Sequence, residues 1–107
     1  MMDWRIDYYN EDVEQAILRL PDTLLARYMR LTEVMQSCGP NLGMPHTRAM
    51  KDGLFELRLK GKEGIARVFY CTIIKNTVLM LHTFVKKTEK TPAKELKIAR
   101  HRLGEVK

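Results

Sequence analysis

The strongest constraint on this chain is a run of three strand-patterned segments joined by very short turns. Residues 54–60 alternate, with Phe55, Leu57 and Leu59 on one side and Glu56, Arg58 and Lys60 on the other. That is the period of two of a strand buried on one face. Residues 61–64 begin and end with glycine and read as a hairpin turn. Residues 65–74 are mostly apolar with one internal charge, Arg67, then Lys75-Asn76 makes a second tight turn and residues 77–85 return. Connections this short join only antiparallel neighbours, so the pattern predicts an antiparallel meander.

The first half reads differently. Trp4, Ile6 and Tyr8 recur at period two, the mark of a short strand over residues 3–9. Asn10 can cap a helix whose first turn holds Glu11, Asp12 and Glu14, and Val13, Ala16, Ile17 and Leu20 form one helical face. Pro21 ends that helix. Asp22 or Thr23 starts the next, in which Leu24, Tyr28, Leu31 and Met35 share a side until Cys38-Gly39-Pro40 closes it. Residues 41–53 contain Gly43, Pro45 and Gly53 and read as a loop, and residues 86–90 as a basic one. Thr91 is placed to cap a last helix with Pro92 at its first position and a stripe of Leu96, Ala99 and Leu103. The expected fold is one α+β domain over residues 1–107, in the order β-α-α-β-β-β-α. A helical hairpin packs on one face of a mostly antiparallel four-stranded sheet, and the other face is partly open.

Charge sorts with this division. Residues 51–107 carry 14 Lys/Arg against 6 Asp/Glu, whereas residues 1–50 carry 5 against 7. The cations alternate with strand residues rather than forming a tail, and cations held on a sheet make a shaped positive surface of the kind that meets phosphate. If Leu57 and Leu59 face the helices, Arg58 and Lys60 face outward. Met80, His82, Phe84 and Lys86 share one parity on the last strand. With Leu79 and Leu81 in the core, Arg58, Arg67, His82 and Lys86 converge on the open side. Arg67 interrupts an apolar run, where a charge is costly unless it reaches solvent or a partner. Such a cluster suits RNA cleavage at a 2′-hydroxyl, with cations stabilising the phosphorane-like transition state and an imidazole or a lysine moving protons. Lys60, Lys87, Lys90 and Lys94 are the candidates for further RNA contact. The same residues also fit plainer readings: a solvated strand face, a structural ion pair at Arg67, a sheet histidine at His82.

His46, His82 and His101 are far apart and acidic residues are not clustered, so no metal or other cofactor is expected. No apolar run reaches the roughly 18–20 residues of a membrane span, and the N-terminus shows no secretory pattern. Cys38 and Cys71 lack ligand spacing and are expected to be reduced thiols in a cytoplasmic protein.

Three blocks carry a resemblance: GLFELR at 53–58, ARVFY at 66–70 and LHTFVKKTEKTP at 81–92, with LGMPH at 42–46 before them and ELKIAR at 95–100 after. In this order they resemble the phage-derived, HigB-like toxins of the RelE/ParE superfamily of toxin–antitoxin systems, over the chain from Trp4 to Leu103. The resemblance implies a compact α+β fold and a metal-independent endoribonuclease that enters the ribosomal A site and cuts mRNA there. It implies basic catalytic residues at Arg58, Arg67, Lys86 and Lys87, and a cognate helix-turn-helix antitoxin of the HigA type as partner. It offers no counterpart for His82. The catalytic tyrosine that some relatives carry near the C-terminus has no match after Phe84, so the general base stays open. The ParE branch acts on DNA gyrase instead. A gyrase poison, and a nucleic-acid-binding module without chemistry, are therefore the alternative expectations.

Overall fold

The computed structural model describes residues 3–86 and 90–107. The elements run β1 (Arg5–Tyr8), α1 (Glu11–Leu18), α2 (Asp22–Cys38), β2 (Thr47–Ala49), β3 (Phe55–Gly61), β4 (Gly64–Ile73), β5 (Thr77–Lys86) and α3 (Ala93–Val106). The five strands form one sheet in the order β1-β5-β4-β3-β2, with β1 parallel to β5 and every other pair antiparallel. The meander and the α+β class are as the sequence predicts. The fifth strand is β2, three residues inside the segment read as a loop, added to the outer edge of β3.

Local chemistry sets the element ends. Asn10 accepts a hydrogen bond from the Val13 amide at 2.9 Å and caps α1. Gly39, at φ 98°, ends α2. Lys75 and Asn76 both have positive φ, as a two-residue hairpin turn requires. α3 departs from expectation. Its cap position is Pro92, without a side-chain cap, and the Thr91 hydroxyl is used elsewhere.

Two apolar layers sandwich the sheet. On one face Val13 and Ile17 of α1, together with Leu24, Tyr28, Leu31 and Met35 of α2, pack on Leu57, Leu59, Ala66, Val68, Tyr70, Val78 and Met80. On the other, Ala99 and Leu103 of α3 pack on Phe69, Cys71, Leu79 and Leu81. Burying one such leucine contributes about 1.5–3 kcal/mol, so α3 is fastened by a smaller core than the helical pair. Among the described residues, no helix is long and apolar enough to cross a membrane.

A β-bulge decides which side chains share a face. Phe69 pairs with His82 but Tyr70 pairs with Met80, which leaves Leu81 as the extra residue. Arg102 of α3 donates from Nη1 to the Leu81 carbonyl at 2.7 Å and satisfies it. Across the bulge the alternation slips, so Met80 faces the α1/α2 core while His82 faces α3. The single parity expected for Met80, His82, Phe84 and Lys86 is therefore broken. Leu79 and Leu81 lie under α3, not in the helical-hairpin core.

Candidate functional site

On the α3 side of the sheet, Arg58 stands opposite Arg67, Arg67 opposite Phe84, Phe69 opposite His82 and Ile65 opposite Lys86. Cross-strand partners share a face. Arg58, Arg67, His82 and Lys86 are thus brought to one face, His82 and Lys86 by way of the bulge at Leu81 rather than by unbroken alternation. Their exposure is not as predicted. Arg58 is half-buried and Lys60 exposed, but Arg67 and Lys86 are only 4% and 5% exposed. Those two lie beneath the surface rather than on it.

The reason at Arg67 is a carboxylate that strand alternation assigns to solvent. Glu56 sits diagonally across from Arg67 and is 2% exposed. Its Oε1 lies 3.6 Å from Arg67 Nε, and its Oε2 accepts a hydrogen bond from the Thr91 hydroxyl at 3.1 Å. Arg67 Nη1 also donates to the Ala66 carbonyl at 3.2 Å. Two guanidiniums directly opposite each other repel, and the Glu56 carboxylate offsets that repulsion while tying Thr91, two residues before α3, to the sheet. The cost of Arg67 in an apolar strand is met by a partner, not by water.

His82 forms a further polar link to α3. Its Nε2 lies 2.7 Å from Oε1 of Glu95, with 15% and 20% of the two side chains exposed. The Phe84 ring stacks on Phe69 at 5.9 Å and on the His82 ring at 6.0 Å. It walls the site with a half-buried aromatic surface on which a base can stack. Chemically, the face offers guanidinium and ammonium groups for a charged phosphate and an imidazole–carboxylate pair for proton transfer. Beneath it, burial pushes the Cys71 thiol above its ordinary range, as befits a small core residue.

Lys60, opposite Ile65 near the end of β3, lies on the same face, and the remaining candidates are dispersed. Lys90 and Lys94 are exposed, and Lys94 borders a separate hollow on α3 with Lys97, Ile98 and His101. Lys87 lies outside the described residues. Among the described residues, no group of three or more His, Cys, Asp or Glu could hold a metal. Alternation placed Glu56 beside Arg58 and Phe84 beside His82 without giving either a role, and it gave no signal for Glu95. The only signal for Glu56 was its position two residues from Arg58 on the same strand face.

The family model described as "Phage derived protein Gp49-like (DUF891)" matches residues 15–104. No curated protein matches the chain. Among solved structures it is similar to a chain of the archaeal RelE–RelB complex from Pyrococcus horikoshii OT3. The TM-score is 0.51 and the identity 16%, covering 78% of this chain and 96% of that one. At that identity the likeness is one of fold.

Proposed function

The chain belongs to the phage-derived Gp49-like family, and from that premise we propose that it is the toxin of a toxin–antitoxin pair, a HigB-like endoribonuclease that cuts mRNA in the ribosomal A site. The observation that carries the reading is the gathering of Arg58, Arg67, His82 and Lys86 on one sheet face. The RelE-like fold and the three sequence blocks support it.

In this proposal Arg58 and Lys60, which reach solvent, hold the phosphates. Arg67, fixed by Glu56, and Lys86 add positive potential from beneath and stabilise the charge building on the non-bridging oxygens of the phosphate. His82, oriented by Glu95, takes the proton of the 2′-hydroxyl. The 2′ oxygen bonds to phosphorus, the bond from phosphorus to the 5′ oxygen breaks, and that oxygen takes a proton from water. The products are a 2′,3′-cyclic phosphate and a 5′-hydroxyl. The reaction uses no metal. The cognate partner is a small helix-turn-helix antitoxin, and the site of action is the cytoplasm.

The test is induced expression in bacteria, with labelling of translation and DNA synthesis and mapping of mRNA 5′ ends. Rapid arrest of translation with new ends inside codons is the expected result. Arg58→Ala relieves it, and is a cleaner test than Arg67→Ala because Arg58 is not part of the buried pair. Intact mRNA with stalled DNA synthesis would replace the reading with a gyrase poison.

A further inference from the structure

A cleft of 530 Å³ lies on the α2 side of the molecule, between that helix and the loop preceding β2. Leu31, Val34 and Leu42 form its apolar part, and Arg27, Arg30 and His46 its basic part. Arg27 and Arg30 are three apart on α2 and so lie on neighbouring positions of one side. Both are exposed, and neither has an ion pair among the described residues. The loop wall is pre-formed. Gly43 N donates to Thr47 Oγ1 at 2.8 Å, Thr47 N to the Gly43 carbonyl at 2.9 Å, and Arg58 N to the His46 carbonyl at 2.8 Å. A wall already held by hydrogen bonds loses little freedom when something docks.

The lining contains no Asp or Glu and no Phe, Tyr or Trp among the described residues. The missing acids leave the positive charge for a partner to neutralise. The missing aromatics argue against single-stranded nucleic acid, whose bases seek rings to stack on. An apolar floor between two guanidiniums and an imidazole instead matches a helix with leucine-like residues on one side and carboxylates beside them. We propose that this cleft is a protein-docking site whose occupant is an acidic amphipathic helix of a partner. α2 packs on the sheet face opposite the cationic one, so the inference stands apart from the nuclease reading and neither falls with the other.

The test follows the methyl resonances of Leu31, Val34 and Leu42 in the full chain. The titrants are a synthetic helix bearing glutamate on one side and leucine on the other, and separately oligouridylate. The peptide is expected to shift these methyls and leave those of Leu81 and Leu103 in place. The paired change Arg27→Glu and Arg30→Glu is expected to weaken binding by about tenfold or more, whereas Lys97→Glu, on α3 at the opposite face of the sheet, leaves it as it is. Unchanged Leu81 and Leu103 signals show that each variant is folded. Absence of shifts at the three methyls, or equal affinity after the paired reversal, would overturn the proposal. Tighter binding of oligouridylate at the same methyls would assign the cleft to nucleic acid instead.

Discussion

Glu56 and Arg67 form a buried ion pair on adjacent strands, Oε1 to Nε 3.6 Å, with the Thr91 hydroxyl on the second carboxylate oxygen. Removing one member of such a pair leaves an uncompensated buried charge, whereas replacing both with apolar residues is often nearly neutral. Glu56→Ala is therefore expected to destabilise by about 3 kcal/mol or more. The double change Glu56→Met with Arg67→Met should recover to within about 1 kcal/mol of the parent. Urea unfolding of the single and double variants measures both. A double variant as unstable as the sum of its singles would show that the two side chains are not coupled.

The 2.7 Å contact between His82 and Glu95 joins β5 to the first turn of α3. That helix has a small apolar footprint, with Ala99 and Leu103 its buried residues. Loss of one polar link to a weakly fastened element raises its local opening more than global unfolding. Glu95→Ala should accelerate amide exchange in the first turns of α3 by about fivefold, corresponding to about 1 kcal/mol, and leave β3 and β4 protected. Uniform acceleration across the sheet would mean the link supports the whole fold.

Sequence patterning and structure agree where local chemistry decides. The hairpin glycines, the Asn10 cap, the left-handed Lys75-Asn76 pair and the apolar faces of α1, α2 and α3 are all set by neighbours within a turn or two. β2 escaped notice because three residues are too few to display a period, and it exists only because β3 offers a free edge. The face of His82 came out as expected for a different reason: one bulged residue, Leu81, shifts every side chain after it. A structural ion pair was one reading open for Arg67, but its near-complete burial and the roles of Glu56 and Glu95 were illegible. They depend on α3 and the residues just before it being laid over the sheet, such as Thr91 at 35 residues from Glu56. Alternation reports which way a side chain points, and not what will later be laid over it.

The two cysteines should separate cleanly by reactivity. Cys38 is exposed at the end of α2, and Cys71 lies buried in the middle of β4 with its thiol pushed upward by burial. The thiolate is the reacting form, so a raised value leaves less of it at neutral pH, and burial removes access as well. Iodoacetamide on the native protein is expected to add one label, at Cys38, and a second only in denaturant. Peptide mass mapping reads the sites, and prompt native labelling of Cys71 would show that the core beneath α3 opens readily.

Gly61 sits where the β3–β4 turn touches the start of α2. A Cβ there would press into Thr23 Oγ1 and come within 3.1 Å of Leu24 Cδ2 and 3.2 Å of Thr23 Cβ. The Thr23 hydroxyl cannot simply turn away, because it accepts from the Lys62 amide at 2.9 Å and donates to the Glu63 carboxylate. Gly61→Ala is expected to cost about 1–3 kcal/mol, and Thr23→Ala in the same chain to remove part of the clash, so that the pair costs less than the sum. Thr23 also sets a pH dependence. Its hydrogen bond holds the Glu63 carboxyl below the ordinary value of 4.5, against a smaller opposing effect of desolvation. A depressed folded-state value means that the unfolded chain binds the proton more readily. The stabilisation is complete above 4.5 and fades as pH falls through the lower folded value. Thermal melts from pH 7 to pH 3 should show a fall in Tm below pH 5 that is shallower in Thr23→Ala than in the parent. Identical acid slopes in the two proteins would remove Glu63 from the account, leaving the Gly61 contact as the reason Thr23 occupies that position.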